Sequence, residues 1–474
     1  MDPIETHWCP RHEESAVPIA TVNPATGELI EEFTALTKEQ VEERLSRAEA
    51  AAATLRATDF ATRARWMQAA ADLVEADAGR TARMLTIEMG KPIAQARAEV
   101  LKCAHAMRFY ADNAESLLAD QPLADPGKVN ASAAYTTYAP LGVVLAVMPW
   151  NYPMWQVIRF AAPALMAGNV GLLKHASNVP QSAMYLDTLF ERAGFPAGSF
   201  QSLLIGAAGV ESVLRDRRVA AATLTGSEPA GRSVAAVAGS EVKKVVLELG
   251  GSDPFIVLPS ADVRAAARTA VTARTINNGQ SCIAAKRFIV HTDVYDEFVE
   301  AFVADTKALT VGDPLDEETD IGPIATKSGR RELVELVEDA VAKGAVLRCG
   351  GSAVGTEGWF FEPAVLEEVT PAMRVYGEEA FGPLAVVHRV DSVEQAAELA
   401  NDTTFGLSSS VWTADPDEER HLIGRLEAGA VFVNGMSVSY PELPFGGVKD
   451  SGIGRELAAE GIREFCNLKT VWKR

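Results

Sequence analysis

Cysteine is scarce in this sequence: five residues in 474, scattered at Cys9, Cys103, Cys282, Cys349 and Cys466. An odd, dispersed set with no CxxC pair excludes a dense disulfide framework and a zinc–thiolate cluster, and suits a reducing cytoplasm. The seven histidines form no HExxH or related spacing, so no metal site is expected. Cations are outnumbered, with 44 Lys and Arg against 64 Asp and Glu, a formal charge of -20. That balance argues against nucleic acid or an anionic membrane as partner. It also means that any anionic substrate or cofactor must meet a local cluster of cations. Long apolar runs are missing too: none approaches the roughly 18 residues of a membrane helix. The opening MDPIETHWCPRHEE lacks the apolar core of a secretory signal. No strand-like run is followed by GxGxxG, so the standard dinucleotide-binding turn is absent.

What is present reads as a soluble α/β protein of two or three domains. Residues 38 to 118 carry apolar positions at three- and four-residue spacing, the mark of amphipathic helices. Short apolar runs follow at 142–148, 169–174, 200–205, 221–226 and 243–249, separated by helical patterns. Strand, helix, strand in this rhythm predicts a parallel sheet covered on both faces. A second alternating series starts at 254–258 and continues at 286–291, 384–390, 408–413 and 430–434. The two series predict two α/β domains joined near 248–255. Residues 128–140 and 466–474 alternate and are rich in β-branched and aromatic residues. They read as strands outside either sheet, an extension suited to pairing between subunits.

Open α/β sheets bind ligands at the carboxyl ends of their strands, and several loops there carry chemistry. MPWNYP brings Pro149, Trp150 and Asn151 directly after the 142–148 run, and the Asn151 amide is either a donor to a ligand or an Asx-turn residue. TGSEPAG puts Gly226 and Ser227 at a helix start able to meet a phosphate. Lys174 ends the second run. Glu248 ends an apolar strand beside two glycines, where partial desolvation raises a carboxyl pKa toward that of a general base. In NNGQSC, Cys282 follows a polar turn rather than sitting within an apolar run. A free thiol has a pKa near 8.5, so a nucleophilic role would need a helix start or a nearby cation. Cysteine, glutamate and an amide donor together could form, stabilise and hydrolyse a thioester.

PWN at 149–151, Lys174, TGS at 225–227, ELGG at 248–251, NGQSC at 278–282, EEAFGP at 378–383 and PFGGVKDSGIGRE at 444–456 occur in that order. Taken together they resemble the aldehyde dehydrogenase superfamily over nearly the whole chain. Within it the text is most similar to bacterial enzymes acting on succinate semialdehyde. The resemblance implies an aldehyde-dehydrogenase-like α/β fold. Residues 1–121 and 140–249 would form a variant Rossmann cofactor domain and 250–449 a catalytic domain. Residues 122–139 and 456–474 would form a small β extension that builds a homodimer or homotetramer. It further implies Cys282 as nucleophile, Asn151 as oxyanion donor with the Cys282 N–H, and Glu248 as the base that activates water. Pro149, Trp150, Lys174, Gly206, Gly226, Ser227, Leu249, Glu379 and Phe381 would line the site of NADP or NAD.

The same comparison sets the finer expectations. Relatives that prefer NAD often carry a glutamate three residues after the lysine, where this chain has Ser177. Loss of that repulsion predicts that NADP is accepted. Arg159, eight residues after Asn151, matches an arginine that binds the substrate's carboxylate. Ser439 matches a hydroxyl donor, with Trp155 and Phe445 as pocket walls. An arginine expected six residues before the cysteine is replaced by Ile276, with Arg274 out of register. Glutarate semialdehyde, a broader range of aldehydes, and a non-catalytic binding role on the same fold stay open as alternatives. Ala284 occupies the place of a second cysteine found in some relatives, so no local disulfide switch is expected.

Overall fold

The computed structural model describes residues 18–474, so Cys9 lies outside the described residues. The first sheet has six strands in the order Gly452–Ile453, Lys244–Glu248, Val219–Thr225, Val143–Met148, Val170–His175, Phe200–Ser202. All pair in parallel except Gly452–Ile453, which runs antiparallel to Lys244–Glu248. The chain starts at the central strand Val143–Met148, steps outward twice on one side, then returns to add two strands on the other. The strand order therefore reverses between Val143–Met148 and Val219–Thr225, and loops after those strands part to leave a crevice. Met148 and Thr225 end the two strands, which places Pro149–Asn151 and Gly226–Ser227 at its rim.

The helical stretch resolves into Lys38–Ala57, Phe60–Ala76, Ala78–Met89 and Ile93–Leu117. Thr37 opens the first with a reciprocal capping box to Gln40. Helix Trp155–Ala167 is buried at every position, because it is sandwiched between the sheet and the helices Phe60–Ala76 and Ile93–Leu117. Its sequence WQVIRFAAPALMA is correspondingly apolar all round, and Arg159 is its one charged residue.

The second sheet has seven strands in the order Val346–Cys349, Ala364–Glu367, Leu384–Val390, Arg287–His291, Pro254–Val257, Ser409–Trp412, Val431–Val433. A cluster of Phe255, Phe288, Phe298, Phe302 and Trp412 fills one of its faces. A third sheet pairs Cys466–Lys473 with Ala133–Pro140 and Gln121–Pro122, all antiparallel. Only the strand Cys466–Lys473 of the segment 456–474 lies in this small sheet. Leu457, Ile462 and Phe465 pack instead into the core of the first domain. The hairpin Ile19–Val22 with Leu29–Phe33, and the strands Val346–Cys349 and Ala364–Glu367, have no counterpart in the sequence pattern above. They are four or five residues long, too short for periodicity to register.

Candidate active site

The NNGQSC loop is held by backbone strain with compensating hydrogen bonds. After helix Val263–Thr275, Asn277, Asn278 and Gly279 take φ of 59°, 57° and 72°, three left-handed residues in succession. Asparagine is among the few side-chain-bearing residues that tolerate this region. Asn277 Nδ2 donates to the carbonyls of Asn151 (2.8 Å) and Gln280 (2.9 Å). Asn278 Nδ2 donates to the carbonyls of Gly90 and Pro323, and its Oδ1 accepts from the Gly322 N–H. At Gly279 a Cβ would stand 2.4 Å from the Gly382 carbonyl carbon, so the second sheet's loop abuts it without space for a methyl. Beyond the turn, Lys286 Nζ donates to the carbonyls of Ser281, Cys282 and Ala284 and pairs with Glu379 at 3.2 Å. The ammonium is thus a strut for the loop. Arg274, also buried, donates to the Gly279 carbonyl at 2.6 Å.

Cys282 opens onto a cavity of about 270 Å³ that also takes in Lys102, Tyr152, Trp155, Arg159, Ser439 and Phe445. The structure therefore brings all four expected substrate residues to the expected nucleophile. Burial pushes the Cys282 thiol up to about 12; Arg159 and Lys286 oppose the rise, while Glu379 and Asp253 add to it. The anticipated help from a nearby cation is outweighed by desolvation. Asn151, buried, points its Nδ2 at the Gln280 carbonyl (3.1 Å), and its Oδ1 accepts from Gln156 Nε2 (3.2 Å). One of its two amide protons is left uncommitted by these contacts.

Helix Trp155–Ala167 has no capping side chain of its own. Glu99, from the helix Ile93–Leu117, substitutes: its Oε1 accepts from the N–H groups of Met154 and Trp155, both at 2.9 Å. Glu99 also pairs with Lys91, both fully buried, and Lys91 lies 4.1 Å above the Tyr152 ring. Farther along the helix, Arg159 pairs with Glu456, donates to Thr225 Oγ1 at 3.3 Å and lies 4.6 Å over the Phe445 ring. In the same cavity, Trp155 Nε1 (3.1 Å) and Lys102 Nζ (2.8 Å) both donate to Ser439 Oγ. Ile276 contributes apolar wall to the same cavity.

Glu248 is buried at the end of its strand, and neither carboxylate oxygen accepts a hydrogen bond from another described residue. Its pKa is raised well above the ordinary carboxyl value, first by burial and then by the Glu456 carboxylate, against the opposing pull of Arg159 and Arg455. The C-terminal motif reaches Glu248 through the short strand Gly452–Ile453, whose Gly452 is in register with it.

Of the expected cofactor residues, Pro149, Trp150, Lys174, Ser177, Gly206, Gly226, Ser227 and Leu249 end or follow strands of the first sheet. Lys174 is buried at the end of its strand, which lowers its pKa, and no carboxylate among the described residues lies within ion-pairing distance. Ser177 follows it, its carbonyl accepting from the Ala20 N–H. Ser227 stands at the N-cap of helix Glu228–Ser240 without using its side chain as a cap, which leaves the first N–H groups for a ligand. The Gly226 N–H is committed to the Glu248 carbonyl at 3.0 Å. Leu249 packs on Gly231, where a Cβ would stand 2.5 Å from Leu249 Cδ2, and Gly206 lies in open space after Phe200–Ser202. Trp150, following Pro149, meets Phe381 edge to face at 5.7 Å. Glu379 accepts from the Gly251 N–H at 3.1 Å besides pairing with Lys286. Beneath the loop, His175 is kept neutral by burial, its pKa pushed down to about 4. Its Nε2 donates to the Pro153 carbonyl at 2.9 Å, and its Nδ1 accepts from the Ala176 N–H.

A crevice at the strand reversal, a partly buried cysteine just beyond a strained turn and a desolvated carboxylate are parts suited to an α/β dehydrogenase. The chain belongs to the aldehyde dehydrogenase family, whose profile matches residues 8–471. Over 456 residues it is 63% identical to succinate-semialdehyde dehydrogenase (NADP+) 1 of Mycobacterium tuberculosis, covering 96% of this chain and 100% of that protein. The protein of the same name from Mycobacterium ulcerans is 62% identical over 457 residues, again 96% and 100% of the two chains. Among solved structures, succinic semialdehyde dehydrogenase from Streptococcus pyogenes in complex with NADP+ matches with a TM-score of 0.93 at 36% identity, over 96% of this chain and 99% of that one. Gox0499, studied for cofactor and substrate selection, matches with a TM-score of 0.94 at 40% identity over the same shares.

Four contributors escaped the sequence reading: Lys102, Glu99, Lys286 and the pairing role of Glu456. Glu456 stands inside the PFGGVKDSGIGRE motif, and a charged residue closing a glycine-rich motif was a usable signal. Glu99 and Lys102 lie on helix Ile93–Leu117 and Lys286 just before strand Arg287–His291, where a lone charge carries no local mark.

Proposed function

We propose that this chain oxidises succinate semialdehyde to succinate, with NADP+ as hydride acceptor and NAD+ as an alternative. The observation that carries the reading is the single cavity shared by Cys282, Arg159 and Ser439, a nucleophile at one end and donors for an acid group around it. The crevice fits a dinucleotide: an uncapped helix start at Ser227 for the pyrophosphate, a Lys174 with no carboxylate partner among the described residues for a ribose or phosphate, and a serine rather than a carboxylate at 177. When bound there, the cofactor takes the hydride.

The protein's own residues do the rest. The Cys282 thiol gives up its proton and Sγ bonds to the aldehyde carbon. The oxygen of this thiohemiacetal lies within reach of the uncommitted Asn151 amide proton and the Cys282 N–H. Loss of hydride leaves a thioester on Cys282. Glu248, held unpaired, takes a proton from the water that attacks the thioester, releasing the acid and restoring the thiol. The balance is aldehyde, oxidised cofactor and water in; carboxylate, reduced cofactor and two protons out.

The exposed apolar side chains Leu123, Val129, Leu468 and Trp472 cluster on the small sheet, whose strand Cys466–Lys473 has one unpaired edge. They support assembly of the chain into a homodimer or a tetramer built from dimers. Cys103, Cys282, Cys349 and Cys466 are free thiols, and no described helix is long and apolar enough to cross a membrane, features that support a cytoplasmic site of action.

Initial rates with succinate semialdehyde, glutarate semialdehyde and butanal, each with NADP+ and NAD+, test the reading. Succinate semialdehyde is expected to lead butanal in kcat/KM by about a hundredfold, roughly 2.7 kcal/mol of transition-state discrimination. Equal rates with butanal would overturn the acid-semialdehyde assignment and leave only the aldehyde dehydrogenase.

A further inference from the structure

We propose that Lys102 is a specificity-determining residue: its ammonium, with the Ser439 hydroxyl and Arg159, holds the substrate's carboxylate remote from Cys282. The proposal rests on the acid-semialdehyde reading above and deepens it.

Three cations line the cavity, Lys91, Lys102 and Arg159, and their surroundings differ. Lys91 is matched by Glu99. Arg159 is matched by Glu456, so the pair carries no net charge and Arg159 offers its remaining N–H groups rather than an excess positive charge. Among the described residues no carboxylate lies within ion-pairing distance of Lys102. Glu99, the acidic group that acts on Lys102, is otherwise engaged with Lys91. Lys102 is half-buried, with Nζ 4.2 Å above the Trp155 ring, a contact that positions an ammonium without neutralising it. An unmatched ammonium at the wall of a largely apolar cavity is unfavourable until an anion arrives.

The hydrogen-bond polarity at Ser439 points the same way. Its Oγ accepts from Lys102 Nζ and from Trp155 Nε1, which fills its lone pairs and leaves its own proton to donate. Lys102 and Ser439 therefore present donors side by side, the arrangement a carboxylate's two oxygens require. Ile276 lines the same cavity without a charge, so Lys102 is the one unmatched cation there among the described residues.

Burial, and then the charge of Arg159, lower Lys102 to about 8, with Cys103 and Glu99 on its own helix opposing. This provides a readout separate from mutation. Below about 8 the ammonium is charged and recruits the acid; above it the attraction is lost. The ratio of kcat/KM for succinate semialdehyde to that for butanal cancels the titrations of Cys282 and Glu248, which both substrates share. In the wild-type enzyme this ratio should be flat at low pH and fall as pH passes about 8. In Lys102→Arg the fall should move beyond the accessible range.

The mutational arm uses the full-length enzyme. Lys102→Met should lose roughly 30-fold or more in kcat/KM for succinate semialdehyde, through KM. Butanal, with no carboxylate to hold, should change less than threefold, and Lys102→Arg should keep most of the acid preference. Equal losses on both substrates would make Lys102 a structural residue and overturn the proposal, as would an unchanged preference in Lys102→Met. If Lys102→Met does not fold, Lys102→Gln replaces it in the same comparison and is read by the same outcomes. A wild-type enzyme with no preference over butanal would sink the substrate reading. A wild-type preference that survives Lys102→Met would sink only the role of Lys102.

Discussion

A thiol pushed up to about 12 is almost wholly protonated at neutral pH, so proton removal is expected to accompany attack. Cys282→Ala should therefore abolish aldehyde-dependent cofactor reduction, to below about 0.1% of wild type, read as absorbance of the reduced cofactor. Glu248 must be ionised to accept a proton, and its pKa is raised, so activity should climb with pH through that raised value. Glu248→Gln should lose this rising limb. It should slow steady-state turnover by about 10²-fold or more, while a single burst of reduced cofactor survives. At this scale the sequence was most legible where candidate residues stand in short motifs: Asn151 and Cys282 follow a recognisable strand or turn, and Glu248 ends a strand. Lys102 was invisible for a physical reason. Its partner Ser439 lies 337 positions away, and a lysine on a helix face has no local feature to distinguish it from a solvated one.

Two elements are held by groups outside them. The start of helix Trp155–Ala167 depends on Glu99, so Glu99→Gln should both weaken that cap and leave Lys91 buried beside a neutral amide. A loss of about 3–5 kcal/mol is expected in denaturant unfolding. Helix Pro180–Arg192 is capped from afar in the same way: Glu88 accepts from the N–H groups of Gln181 and Ser182 and from the hydroxyls of Ser182 and Thr21. Burial pushes Glu88 up to about 7 from an ordinary 4.5. A raised folded pKa gives a contribution that is present below 4.5 and lost as pH rises through 7. The Tm of the wild type, relative to Glu88→Gln, should thus fall between pH 5 and 8, by the equivalent of about 3 kcal/mol. Such remote caps explain why helix positions were legible in the sequence while their anchors were not: 3.6-residue periodicity belongs to the helix, whereas its N-terminal partner belongs to the tertiary fold. The turn at Asn277–Gly279 is the reverse case. Its left-handed run is written locally as Asn-Asn-Gly, and Gly279→Ala should cost at least about 2 kcal/mol and displace Cys282, visible as lost activity.

Across the whole molecule, the two series of parallel strands followed from alternating apolar runs, whereas their order within each sheet is set by long-range packing that periodicity does not carry; the exposed faces of the small sheet follow from its β-branched and aromatic strand. Replacing Leu468 and Trp472 together by Asp should reduce the mass measured by light scattering to that of a smaller assembly, if the small sheet joins subunits as proposed. The acidic balance of the chain, met first as a count of side chains, also bears on traffic. With the proposed substrate, oxidation turns a monoanion into a dianion, in a molecule of formal charge -20. At the same exterior potential a dianion is repelled twice as strongly as a monoanion. The surface that discourages every anion from approaching therefore discriminates most against spent product, and gives each turnover an outward bias.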